Sequence, residues 1–221
     1  MELIAAIKSR RSIRSFKSDV VPDEIISKVL DIARFSPSGV NAQPWEFLIV
    51  TGKSLEKLRS IGVMNALSGA PPDQAEMPYT GVYRERQVAL GKEIFRVMGI
   101  PREDRKKRQE WQLEGMRFFG APVVILICMD DAYYLEHRDI ALIDTGIVTY
   151  AITLAAIEFG LGTCIQFQGI MYAKNVREAL NIPATKRLVS CISLGYPDWE
   201  APINSLRVER ESLDKMTIWM R

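Results

Sequence analysis

Apolar positions divide the chain into segments of contrasting period. Leu3, Ile4 and Ile7 share one helical face, which predicts a short helix running into Arg10-Arg11-Ser12-Ile13-Arg14. Pro22, followed by Asp23 and Glu24, opens a second helix whose stripe is Ile25, Ile26, Val29, Leu30 and Ala33, ending near Pro37. A turn-rich stretch, Ser36-Pro37-Ser38-Gly39-Val40-Asn41-Ala42-Gln43-Pro44, precedes the strand-like Phe47-Leu48-Ile49-Val50. Pro122 to Met129 is an unbroken apolar run of strand length, and Ile140 to Phe159 reads as a long, nearly all-apolar helix. After the stop at Gly160-Leu161-Gly162 come Thr163 to Phe167, a short helix from Ala173 to Leu180, a strand from Leu188 to Leu194, and an irregular tail to Arg221. Helices and strands interleave, so the class is α/β or α+β.

The Ile140 to Phe159 helix could reach about 30 Å, the thickness of a bilayer core. Asp144 and Glu158 interrupt it, threonines dilute it, and Gly146, Ala151, Ala155 and Ala156 suit close helix packing. It is expected at a dimer interface rather than in a membrane. From Gly62 to Gln112 the texture changes, with Pro71-Pro72, Pro78 and Pro101 punctuating polar segments. This stretch is either an insertion or lid within a single domain spanning 1–221, or a solvated helical excursion that does not touch the site.

Composition narrows the function classes. The 29 Lys+Arg and 27 Asp+Glu leave a formal charge of +2, so no global field favours nucleic acid or an anionic membrane, and any anion site must be local. Cys128, Cys164 and Cys191 sit singly in apolar runs and read as buried, reduced thiols. With a single histidine, His137, to which no role is assigned, no metal site is expected. The first residues lack the basic and long apolar regions of a signal peptide, so the cytoplasm is the expected compartment. No Ser-His-Asp or Cys-His set can be assembled, and no G-x-G-x-x-G follows a strand.

Arg10-Arg11-Ser12-Ile13-Arg14 offers guanidinium forks and a hydroxyl within one turn, a combination suited to a phosphate monoester. Together with Pro37-Ser38-Gly39-x-Asn41-x-Gln43-Pro44-Trp45, the late Gly160-Leu161-Gly162-Thr163-Cys164 and the closing Leu194-Gly195-Tyr196-Pro197-Asp198, it resembles the nitroreductase family in order and spacing. The resemblance covers roughly Leu3 to Thr51 and Phe118 to Trp219, leaving Gly62 to Gln112 unplaced. It implies an α+β fold: a three-layer α/β/α sandwich whose central sheet is mixed but largely antiparallel. It further implies a homodimer whose active sites are shared between subunits.

By position, the resemblance gives Arg10, Arg11 and Ser12 the FMN phosphate and ribityl chain, and Arg14 the pyrimidine edge of the flavin, where a fixed cation favours the reduced state. Pro37, Ser38, Gly39 and Asn41 would contact the same flavin from the other subunit. One of Ile165, Gln166, Phe167 and Gln168 would donate to flavin N5, although the acidic residue and proline of some relatives are missing there. Arg207 or Arg210 would close over the phosphate, with Arg210 preferred, and Ser212 stands where many relatives have proline. Trp45 and Trp219 are left as structural anchors.

The reading is an FMN-dependent oxidoreductase that moves two electrons, by ping-pong turnover, from NADH or NADPH to a small electron-poor acceptor such as a nitroaromatic, quinone or enone. Flavin N5 carries the chemistry and no catalytic side chain is assigned. The alternatives are a specialised flavoenzyme of the same fold, performing reductive dehalogenation or flavin fragmentation, and a non-catalytic flavin-binding dimer. Neither nucleic acid nor membrane is an expected partner.

Overall fold

In the computed structural model, which describes residues 2–74 and 78–221, four strands form one sheet. They are β1 (Glu46–Thr51), β2 (Val123–Asp130), β3 (Gly162–Gln166) and β4 (Lys186–Gly195), ordered β1-β2-β4-β3. Every pairing of these strands is antiparallel, and a parallel component enters only as an isolated bridge between Ser12 and Thr163.

Strand β2 is buried along nearly its whole length, and its alternation builds a core on each face of the sheet. Val123, Ile125 and Ile127 point to one side, where they meet Val29 and Ala33 of α2 (Asp23–Ala33) and Val148 and Ile152 of α6 (Asp131–Glu158). Val124, Leu126 and Cys128 point to the other, against Leu55 and Leu58 of α3 (Gly52–Ser68) and Val176 of α7 (Ala173–Leu180). The result is three layers, helices over sheet over helices. A bulge between Ile127 and Cys128 shifts the register against β4, so that Leu188, three residues from Cys191, faces the same core.

Helix α6 begins at Asp131, well before the expected Ile140, because the Asp130 side chain caps it by accepting from the Ala132 and Tyr133 N–H groups. His137 departs from helical geometry (φ −128°) and divides a polar first segment from the apolar remainder, which is why the pattern revealed only the second part. The helix is long and apolar enough to span a bilayer, but one face, Ala141 through Ala156, is buried against the sheet and α2. Its opposite face exposes Ile140, Ile143, Ile147 and Tyr150.

α1 (Leu3–Ser9) buries only Ala6, leaving Leu3, Ile4 and Ile7 exposed, and the tail likewise exposes Leu213, Met216, Ile218, Trp219 and Met220. Trp45 is in the core. All three cysteines are free and buried.

The polar stretch 62–112, of which residues 75–77 lie outside the described residues, comprises the end of α3, then α4 (Gly81–Val97) and most of α5 (Arg105–Met116). α4 buries none of its described side chains. It is tied to the tail by the Arg86–Glu211 ion pair at 2.9 Å.

Candidate active site

The Arg10–Arg14 segment leaves the end of α1 and lies along the free edge of β3. Ile13 donates its N–H to the Thr163 carbonyl at 2.9 Å, and farther on Lys17 donates to the Tyr196 carbonyl. Gly162 permits this approach: a Cβ there would come within 2.5 Å of Ile13 Cγ1 and 2.7 Å of Pro197 Cγ. With Ile13 buried as the anchor, Arg10, Arg11, Ser12 and Arg14 are left half-buried around it.

These four side chains line a cavity of about 650 Å³ together with Arg207, Arg210, Tyr150 and Leu90. Among the described residues, no aspartate or glutamate lines it. Arg11 lies 4.4 Å over the Trp199 ring and extends into an adjoining cavity of about 310 Å³, which Arg207 also lines. Burial, with the Arg207 charge beside it, lowers the Arg11 pKa from its ordinary value. Cations gathered this closely repel one another, and an anion entering the cavity relieves that repulsion. Arg207 thus stands closest in effect to Arg11, while the Arg210 guanidinium donates to the carbonyls of Val208 and Glu209.

Two residues to which the sequence assigned no part in the site hold this arrangement. Asn204, fully buried, accepts from the Arg14 N–H at 2.8 Å and donates to the Ser15 and Asp198 carbonyls at 2.7 and 2.8 Å, fixing the backbone from which Arg14 projects. Asp144, buried on α6, accepts the Gly39 N–H at 3.1 Å and so anchors the Pro37–Pro44 loop. That loop carries Val40, Asn41 and Gln43 at φ of 47°, 58° and 47°, a left-handed backbone that costs energy for valine and glutamine. A Cβ at residue 39 would stand 2.8 Å from Ile140 Cγ2, so only glycine fits against α6. Sequence offered no signal of either contact, since the partners lie more than a hundred positions apart.

Within one chain, the loop residues Pro37, Ser38, Gly39 and Asn41 do not line the cavity. Nor do Ile165 and Gln166, which end β3 beyond the Ser12–Thr163 bridge, or Phe167 and Gln168, which lead into a short 3-10 turn. The Gln166 side chain is committed internally: it donates to the Gly115 carbonyl at 3.0 Å and accepts from the Ser193 hydroxyl. Gln168 packs against Gly115 in a cleft with Met116 and Phe118. The Thr163 carbonyl points away from β4, so by antiparallel alternation the N–H of Ile165 also faces the free edge. Burial raises the pKa of the Cys164 thiol, behind Ser12, against the pull of Arg14, the Ser12 hydroxyl and Arg10. It remains a neutral thiol at pH 7 rather than a thiolate nucleophile.

The model of the nitroreductase family matches residues 7–196. The chain is 32% identical to nitroreductase NfnB of Mycolicibacterium smegmatis over 97% of its length and 91% of that protein. It is 31% identical to a 4-nitrobenzoate reductase of Pseudomonas putida, covering 98% and 94% of the two. Among solved structures, the FMN- and NADPH-dependent nitroreductase NfnB of a Sphingopyxis strain superposes with a TM-score of 0.92 at 27% identity, covering all of both chains.

Proposed function

The chain belongs to the nitroreductase family, and from that premise we propose that Arg10, Arg11, Ser12 and Arg207 or Arg210 hold the phosphate of FMN, with the flavin ring along the free edge of β3. The protein is an FMN-dependent NAD(P)H oxidoreductase that reduces small electron-poor acceptors. A cavity lined by the half-buried Arg10, Arg11 and Arg14 and by Arg207 and Arg210, with no carboxylate among the described lining residues and with Ser12 bridged to Thr163 on the edge strand β3, carries the assignment. The donor set fits the cofactor, since forked guanidinium groups match phosphate oxygens in geometry and charge. When bound, FMN supplies a centre that accepts two electrons from the nicotinamide and passes them to the acceptor.

The chain's own residues position and tune that centre. Arg14, held through its backbone by Asn204, places a fixed cation where the flavin's pyrimidine edge would lie and so favours its reduced form. The N–H of Ile165 would be the donor to N5, because it faces the open edge whereas Gln166 faces β4 and the interior. Leu90 of α4 forms one wall of the cavity, which supports a lid role for the 62–112 stretch within a single 1–221 domain. A nitroaromatic is the acceptor class that the relatives support, and they do not favour dehalogenation, flavin fragmentation or mere flavin storage.

A homodimer completes the site. Ile140, Ile143, Ile147 and Tyr150 of α6, Leu3 and Ile4 of α1, and the apolar tail form more exposed apolar surface than a monomer ordinarily leaves uncovered. The strained Ser38–Asn41 loop, anchored on the same helix, lies at that face and would reach the partner's flavin. Free buried thiols agree with a cytoplasmic setting. The test is spectroscopic. The purified protein should be yellow with bound FMN and should bleach when NADPH is added under argon. A protein that neither binds FMN nor consumes NADPH or NADH would overturn the assignment.

A further inference from the structure

A second cavity, of about 600 Å³, opens between α4 and the turn into α5, lined by Val88, Lys92, Phe95, Ile100, Arg102 and Arg108. Val88, Lys92 and Phe95 lie on the face of α4 turned away from Leu90, given about 100° per residue. The helix therefore separates this cavity from the Arg10–Arg14 cavity.

The two cavities share a charge pattern. Most basic side chains of this protein with a described ion pair lie beside a carboxylate one helical turn away, as Arg34 does with Asp31 and Arg59 with Glu56. At the rim of the second cavity Arg96 is neutralised in the same way by Glu93, at 2.6 and 2.8 Å. Lys92, Arg102 and Arg108 have no ion-pair partner among the described residues, and no acidic residue lines the cavity. Arg108 is already oriented: its guanidinium lies 4.1 Å over the Phe95 ring and donates to the Arg102 carbonyl at 3.3 Å. An oriented fork costs less to engage than a free one, because less side-chain entropy is lost on binding. Val88, Phe95 and Ile100 supply an apolar floor beside the cations.

We propose that this cavity is a second, separate anion site, which takes a flat ring bearing a carboxylate or a phosphate. The oxyanion meets Arg102, Arg108 and Lys92, and the ring lies on the apolar floor. Two sources share this chemistry, an aromatic carboxylate and a nucleoside monophosphate. The site does not depend on the flavin reading, since it shares none of the residues of the first cavity.

Isothermal titration of the FMN-loaded protein tests it, with benzoate, adenosine 5′-monophosphate and, as the uncharged control, benzamide. Benzoate or the nucleotide should bind, more weakly as salt rises, while benzamide gives no signal. The tighter of the two probes identifies the source. Arg102→Ala/Arg108→Ala should bind at least about tenfold more weakly, as expected for lost charge-assisted contacts. Arg102→Glu leaves the Arg108–Phe95 stack in place and should show the same loss, which covers the case where the double variant folds poorly. FMN content, read from the flavin absorbance, should be unchanged in both, since neither side chain lines the first cavity. The proposal is overturned if neither anion binds at millimolar concentration, if both variants bind as the wild type does, or if the probe releases flavin, which would put it in the first cavity.

Discussion

Replacing Asp144 by alanine removes the acceptor that holds the Gly39 N–H, and the consequences can be worked from the loop itself. A hydrogen bond to a charged group contributes about 1.5–3 kcal/mol. Against it stand the left-handed backbones of Val40 and Gln43, neither of which has the short polar side chain that eases this conformation. Each costs about 1–2 kcal/mol. The remaining restraints among the described residues are the Gln43 N–H to the Ser38 hydroxyl at 2.9 Å, the Gln43 side-chain amide to the Asn41 carbonyl at 3.2 Å, and two short-range backbone bonds, Asn41 to Ser38 and Ala42 to Gly39. Strain and anchor are thus of the same order, and the loop should leave its conformation once the anchor is gone. If the loop closes on the flavin, FMN affinity falls by about ten- to hundredfold. The melting temperature falls by at most about 3–12 °C for a chain of this size, because release of the loop strain returns part of the lost anchor energy. Asp144→Asn keeps an acceptor oxygen and should lose clearly less of both. FMN fluorescence quenching on refolded apo-protein reads the first quantity and calorimetry the second. A lowered melting temperature with unchanged FMN affinity in Asp144→Ala would refute the loop's role at the flavin, and no change in either would refute the anchor.

Asn204→Ala strands the Arg14 N–H and the Ser15 and Asp198 carbonyls, so it should destabilise by about 3 kcal/mol or more and weaken FMN binding, with calorimetry and flavin titration as the measurements. Arg10→Ala should lose about ten- to hundredfold in FMN affinity without a matching fall in melting temperature, as seen by titrating flavin into the apo-protein. Glu211, held down to about 2 by Lys215, Arg86 and the Ser212 N–H, contributes stability above the ordinary carboxylate range that is lost only as pH falls toward 2. The α4 clasp should therefore persist in mild acid, and Glu211→Gln, which breaks an exposed pair, should change FMN affinity less than about fivefold at pH 7. Co-refolding Arg10→Ala with Asn41→Ala chains should restore wild-type activity at about half the sites of mixed dimers, since shared sites place both lesions in one site and none in the other. Heterodimers verified by native mass spectrometry but lacking recovered activity would contradict sharing.

The sequence by itself carried whatever depends on neighbours along the chain. Residues 10–14 bring their charges together because they are consecutive, and the unbroken apolar run at 122–129 together with the apolar stripe of α2 was enough to predict a strand and a helix. The linked motifs at 10–14, 37–45, 160–164 and 194–198 pointed to the family, which the comparisons bear out. Tertiary structure decided whatever depends on residues far apart. Arg207 meets Arg11 across nearly the whole chain, Asn204 pins Arg14, and Asp144 pins Gly39, none of which leaves a periodic trace. Asp144 shows the difference most plainly: along the sequence it is a polar interruption in an apolar helix, and in the fold it is the acceptor that a strained loop requires. The same holds for Gln166, whose amide is spent on Gly115 and Ser193, so that strand direction rather than residue type decides which backbone N–H groups face the open edge. Side-chain pattern records burial and local charge, whereas the direction of a backbone hydrogen bond is set only when strands pair, and in this protein that pairing orients the edge of the site.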